Sequence, residues 1–200
     1  MRYRDAKTSC YLAKSLLTNL PRAQILGDWE QVNLRSYIVL THAAFEEYLE
    51  GMSKRLLNTT ISLLSRDMVC IGALALISSY RAKQENMREV YPGTGRMIDA
   101  IRTRVNCAQV AHETVIKNNN GIKPSSVAAL MKPFGIELER FAVLLNELQM
   151  FGERRGGLAH TGSIAVVETV ADTVIRVDFI LRELRLFERH AFNCCGRLVH

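Results

Sequence analysis

Apolar side chains recur every three or four positions from the start of the chain. Over residues 4–20, Tyr11, Leu12, Leu16 and Leu20 share one side. That is the period of an α-helix. The helix is expected to end at Leu20-Pro21-Arg22, because proline lacks the amide hydrogen and clashes with the preceding turn. A second helix is predicted from about Trp29 to Asn58, with Leu34, Ile38, Ala44, Phe45, Tyr48, Leu49, Met52 and Leu56 in register. A third runs from about Ser65 to Val90 and stops at the turn cluster YPGTG, residues 91–95. A fourth spans about Arg96 to Lys117, before the loop NNNGIKP at 118–124. A short helix follows Pro124 and is halted by Pro133 and Gly135. A fifth long helix then reaches His160. Thr161-Gly162-Ser163 make a break rich in N-capping residues. The last helix, from about Ile164 to Phe192, aligns Val167, Val170, Val174, Val177, Leu181 and Leu184.

Strict two-residue alternation is nearly absent, and a hairpin dipeptide occurs once, at Asn120-Gly121. The pattern predicts an all-α, antiparallel bundle of five to six helices, forming a single domain over residues 1–200.

Composition agrees. At 200 residues, 48% apolar and 23% charged, the chain can bury a core and is not of disordered type. The longest apolar run, Met68–Tyr80, is interrupted by Gly72 and is too short to span a bilayer. The N-terminal MRYRDAKTSC leads into an amphipathic pattern, so no secretory signal is expected. Five cysteines at irregular spacing, with no CxxC pair, point to free thiols in a cytoplasmic protein and not to zinc. Cys194 and Cys195 are expected in a frayed tail. A formal charge of +6 permits a polyanionic partner without demanding one.

The stretch FGERRGGLAHTG at 151–162 stands apart from this regular pattern. The apolar stripe of the fifth helix runs Leu138, Phe141, Leu144 and Leu145, Leu148, Phe151, and its next position is Arg155. Arg154 lies about 100° away and continues Glu147 and Met150. Periodicity therefore points Arg155 at the interior or at a subunit contact. A guanidinium stays charged in proteins, so there it needs a carboxylate, carbonyls or an anionic ligand. Gly156 and Gly157 disfavour helix and suggest a close approach, a bend or an end. His160 can exchange protons near neutrality. Arginine for a phosphate and histidine for proton transfer suit phosphodiester cleavage without a metal, if the RNA's own 2′-hydroxyl attacks. On spacing alone the alternative is structural: arginines complementing a helix dipole, Gly-Gly as a C-cap, and His160 capping carbonyls.

The segment RRGGLAH resembles the signature of HEPN-domain ribonucleases, an arginine with a histidine about five residues on, often as RNxxAH. Arg155, Ala159 and His160 match it, and Arg154 fits the longer-spaced variant. LRSYIVLTHAAFEEYLEGM at 34–52 resembles the second helix of the RiboL-PSP branch, where an acidic residue follows an aromatic one, here Phe45-Glu46. The run from Gly121 to His160 resembles the same branch's short helix, connector and motif helix. The likeness extends over about 30–190.

The resemblance implies a metal-independent endoribonuclease that needs no cofactor and leaves 2′,3′-cyclic phosphate ends. It implies a homodimer bringing two Arg…His motifs into one cleft, with RNA as substrate. It also implies a cognate antitoxin or regulatory partner, in bacterial stress or phage defence. Arg155 and His160 then form the catalytic pair, Arg154 assists phosphate binding, and Glu46 orients Arg155. Gly156 departs from the pattern, since active members carry Asn, Asp or His there; the orienting role passes to Arg154 or Glu46. The alternative is a catalytically inactive HEPN-like module binding RNA, a nucleotide or a protein. A further one is an unrelated helical adaptor with salt-bridged arginines.

His42, three residues before Phe45, is expected as a satisfied core or surface histidine, with a place facing the cleft as the alternative. His112 has no HExxH partner, because Ile116 stands where the second histidine belongs. Arg96, Arg102, Arg104, Lys117 and Lys123 are expected on a solvated face, with tracking of an RNA backbone as the alternative.

Overall fold

The structure, a computed structural model, describes residues 1–21, 26–80, 97–161 and 169–199; the side chains of 156–161 lie outside that description. The described residues form seven α-helices and no β-strand: α1 (Tyr3–Ala13), α2 (Asp28–Leu64), α3 (Ile71–Ser79), α4 (Met97–Lys117), α5 (Pro124–Met131), α6 (Ala142–Thr161) and α7 (Val170–Cys195). The all-α expectation holds, with short α3 and α5 standing beside five longer helices.

Local chemistry sets most of the ends. In the first turn of α1, Asp5 reaches back to accept from the Arg2 amide at 2.8 Å. Glu30 does the same for the Gly27 amide at 2.7 Å as α2 begins. Thr169 caps α7, its hydroxyl accepting from the Asp172 amide at 3.1 Å. Gly135, at φ 74°, closes the 3-10 turn Lys132–Phe134 in the left-handed region.

Several expected ends move. Helix α1 gives way to a 3-10 turn at Lys14–Leu17, short of Leu20; this segment buries Ala6, Cys10, Ala13 and Leu17 and leaves Tyr11 and Leu12 exposed. Helix α2 runs to Leu64, past Asn58, because Arg102 of α4 donates to the Leu64 carbonyl from Nε at 3.2 Å and Nη2 at 3.0 Å. Asp67, at φ 60°, turns the chain, and α3 begins only at Ile71; residues 81–96 lie outside the description. The fifth predicted helix opens as a 3-10 turn, Leu138–Phe141, before α6 proper.

The chain divides into two compact units, each assembled from separate stretches. The first comprises Met1–Leu49, Asn120–Pro124 and Phe141–Leu186. Its core takes Leu34, Tyr37, Ile38, Phe45, Tyr48 and Leu49 from α2, with Leu144, Leu148 and Phe151 from α6 and Val177, Ile180, Leu181 and Leu184 from α7. Phe45 and Phe151 meet edge-on, with ring centroids 5.6 Å apart.

The second unit comprises Glu50–Asn119, Ser125–Arg140 and Phe187–His200. Met52, Leu56, Leu76, Val105, Ala108, Leu130, Met131, Phe134 and Phe187 are fully or nearly fully buried in it. Within it lies a closed polar chain. The Ser53 hydroxyl donates to the Leu130 carbonyl at 2.9 Å. That spends its one proton, so the Nε2–H of His112 donates to Ser53 at 2.8 Å and Tyr80 donates to Nδ1 at 2.8 Å. Burial holds His112 well below its ordinary value, at about 4.

The expected frayed tail is instead anchored in this unit. Cys195 is fully buried, the Ile71 amide donates to Arg197 and the Val199 amide donates to Val69, each at 2.9 Å. Gly72 permits the close packing, since a Cβ there would collide with Cys195 Sγ.

Candidate active site on helix α6

Helix α6 lies in the first unit from its start, and its backbone stays helical through Gly156, Gly157 and His160 to Thr161. The glycine pair therefore sits inside the helix and is not its C-cap. On a straight helix, positions 155 and 160 are about 140° apart. The side chain of His160 lies outside the described residues.

The two arginines occupy different environments. Phe151 is fully buried and ends the apolar stripe; Arg155, one turn on, is exposed. Of the two expected places for Arg155, the interior and a subunit contact, its exposure leaves the second, because a long side chain carries its guanidinium outward from an apolar stem. Arg154 is the more enclosed of the two. Burial and the nearby Arg176 of α7 push its pKa down from the usual arginine value, while Glu147 and Asp172 oppose the shift. Arg176 donates to Glu147 Oε2 at 3.0 Å and approaches Met150 Sδ at 3.7 Å. The line Glu147, Met150, Arg154 is thus the α6 face that meets Arg176. Arg176 carries no sequence motif, and only its spacing from Val174 and Val177 hinted that it leaves the apolar face.

Glu46 and His42 stand on α2 one turn apart. His42 is 4% exposed, so it is an enclosed histidine, as expected. Its Nδ1 lies 3.9 Å from Glu46 Oε2. Its Nε2 faces α6, where a Cβ on Gly152 would stand 3.8 Å away. Burial first, and the charge of Arg155 second, hold His42 down at about 4. The structure brings Glu46 to His42, and His42 within electrostatic reach of Arg155.

The basic stretch of α4 has a structural member. Arg102 pairs with Asp67 at 2.7 Å and Asp99 at 3.1 Å while capping α2. Arg104, Lys117 and Lys123 are exposed, and Arg96 lies outside the described residues. No described helix is long and apolar enough to cross a membrane.

The family model described as RiboL-PSP-HEPN matches residues 12–190. Curated proteins and solved structures give no match. The match runs from within α1 to near the end of α7 and includes both α2 and the whole of α6, and on that extent the chain belongs to the RiboL-PSP-HEPN family.

Proposed function

We propose that the chain is a metal-independent endoribonuclease, a single HEPN-type domain over residues 1–200 that works as a homodimer. Arg155 and His160 are the catalytic pair. His160 takes the proton from an RNA 2′-hydroxyl, which attacks the adjacent phosphorus. The bond to the 5′-oxygen breaks, and that oxygen leaves with a proton from the second copy's His160. The products are a 2′,3′-cyclic phosphate and a 5′-hydroxyl. Arg155 neutralises the phosphate oxygens as charge builds on them, and Arg154 supports it.

One observation carries this assignment. Within a family-matched chain, α6 presents an exposed Arg155 beside a half-buried Arg154 that Glu147 and Asp172 help neutralise. The helical spacing favours a dimer: positions 155 and 160 are about 140° apart around a straight helix, and a second copy can bring its histidine to the first copy's arginine. An antitoxin or regulatory protein covering Arg155 would restrain the activity, as fits a stress or phage-defence effector in the cytoplasm.

Gly156, where active relatives carry a polar residue, favours a second assignment, a non-catalytic module that binds RNA, a nucleotide or a protein. Cleavage of total RNA by purified protein in EDTA, beside Arg155→Ala and His160→Ala, separates the two. Cutting by the wild type, lost in both variants, supports the nuclease. A folded, dimeric wild type that leaves RNA intact supports the binding module.

A further inference from the structure

We propose that His42 is a positioning residue for Arg155: Glu46 fixes the imidazole tautomer, and the free Nε2 lone pair accepts from the Arg155 guanidinium. The inference rests on the ribonuclease assignment for its consequence, though not for its geometry. The resemblance implies that Glu46 orients Arg155 directly. The structure instead places Glu46 against His42, with Nδ1 to Oε2 at 3.9 Å. That is longer than a hydrogen bond, yet a carboxylate so close to a buried ring favours the proton on Nδ1. The lone pair is then left on Nε2.

Nε2 points at α6. A Cβ on Gly152 would stand 3.8 Å from it and 3.6 Å from Ile122 Cγ1, both ordinary contact distances, so Nε2 stands against the face of α6 that carries Gly152. Arg155 is three residues beyond Gly152, and positions i and i+3 are neighbours on one helix face. No hydrogen bond joins His42 to Arg155 among the described residues; the inferred contact forms when the guanidinium folds back over Gly152, with its outer edge still exposed for a phosphate. A neutral ring is required, because an imidazolium beside Arg155 would repel it. Enclosure of His42 and the charge of Arg155 both favour the neutral form.

This arrangement gives a catalytic arginine a fixed direction without spending its charge. An Arg155 paired directly with Glu46 would meet the phosphate already neutralised. Held by a neutral imidazole, it keeps its full charge for the transition state.

The test has two arms, both on the full chain. In the first, NMR follows the His42 ring nitrogens through a pH titration in wild type, Arg155→Met and Glu46→Gln. The expected results are a His42 pKa that rises toward 6.5 when Arg155 loses its charge, and a proton that moves from Nδ1 to Nε2 in Glu46→Gln. A His42 titration indifferent to Arg155→Met overturns the proposal. In the second, His42→Gln places a carbonyl oxygen near the Nε2 position and is expected to retain turnover. His42→Asn and His42→Leu are expected to lower kcat about tenfold or more with KM little changed. Equal loss in all three variants reduces His42 to a packing residue. If wild type cuts no RNA, the nuclease assignment fails, and the NMR arm, which uses no RNA, still decides the His42–Arg155 contact.

Discussion

Phe45 of α2 packs edge-on against Phe151 of α6 at 5.6 Å between ring centroids, in the first unit. The residues three before the one and next after the other, His42 and Gly152, also face each other. The aromatic pair and the close approach of His42 to Gly152 thus lie on the same stretch of α2 and α6, just before the adjacent arginines. A double-mutant cycle between Phe45→Leu and Phe151→Leu is expected to give a coupling of about 0.5–1.5 kcal/mol in urea unfolding. Simple additivity would show that the rings fill space without recognising each other.

Two enclosed histidines give the protein an acid sensitivity. His42 and His112 are each held at about 4, against about 6.5 in an unfolded chain. Between those values the unfolded state binds more protons, so stability falls as pH drops from 6.5 toward 4. The slope is about 1.4 kcal/mol per pH unit for each histidine. Above 6.5 they contribute no slope. Urea midpoints should be level from about pH 7 to 8 and decline steadily below about 6.5. A midpoint that ignores pH throughout that window would contradict the neutral assignment of both rings.

Ser53 joins a backbone carbonyl to His112 in the second unit. Ser53→Ala leaves the Leu130 oxygen and the His112 Nε2–H without that partner, in a site from which water is excluded. The expected cost is about 1–3 kcal/mol. Tyr80→Phe removes only the outer hydroxyl of the chain, and about 1 kcal/mol is expected. Thermal or urea unfolding checks both, and the Ser53 variant should be the weaker.

Glu147 serves two cations, accepting from Arg176 and offsetting the charge of Arg154. Glu147→Gln is expected to destabilise the fold by about 1–2 kcal/mol, less than a fully buried pair would lose. Adding Arg176→Met should restore part of that loss, because it removes the like charge facing Arg154. Unfolding measurements on the single and double variants decide it. A double variant no better than the single would remove repulsion from the account.

The sequence was most legible where the signal is local. Pro124 opens α5, and Pro133 with Gly135 closes it, since missing amides and left-handed turns need no distant partner. The apolar register of α2 and α7 likewise predicted Leu34, Phe45, Val177 and Leu184 as core. Contacts between distant segments were not legible. Helix α2 overran its predicted end because Arg102, 38 residues away, caps Leu64. Cys195 left the expected frayed tail for the core because residues 69 and 71 hold the chain beyond it. At the candidate site, periodicity correctly placed Arg154 beside Glu147 and Met150. It left Arg155 either inside or at a subunit contact, and in the single chain the residue is exposed, because a stripe records the direction of a Cα–Cβ bond and not the reach of a long side chain. The i,i+4 spacing of His42 and Glu46 was present in the sequence, but nothing in one helix announces which face of another His42 will meet.

In the proposed reaction a 2′-hydroxyl, activated by His160 and aimed at a phosphate held by Arg155, cuts RNA. It is tested most directly with an oligoribonucleotide cut at one mapped position, beside the same oligonucleotide carrying a single 2′-deoxy sugar there, both in EDTA. The expected result is a 2′,3′-cyclic phosphate end from the first and an intact bond at that position in the second. Cleavage at the deoxy position, or no cleavage of the all-ribose strand by the folded dimer, would contradict it.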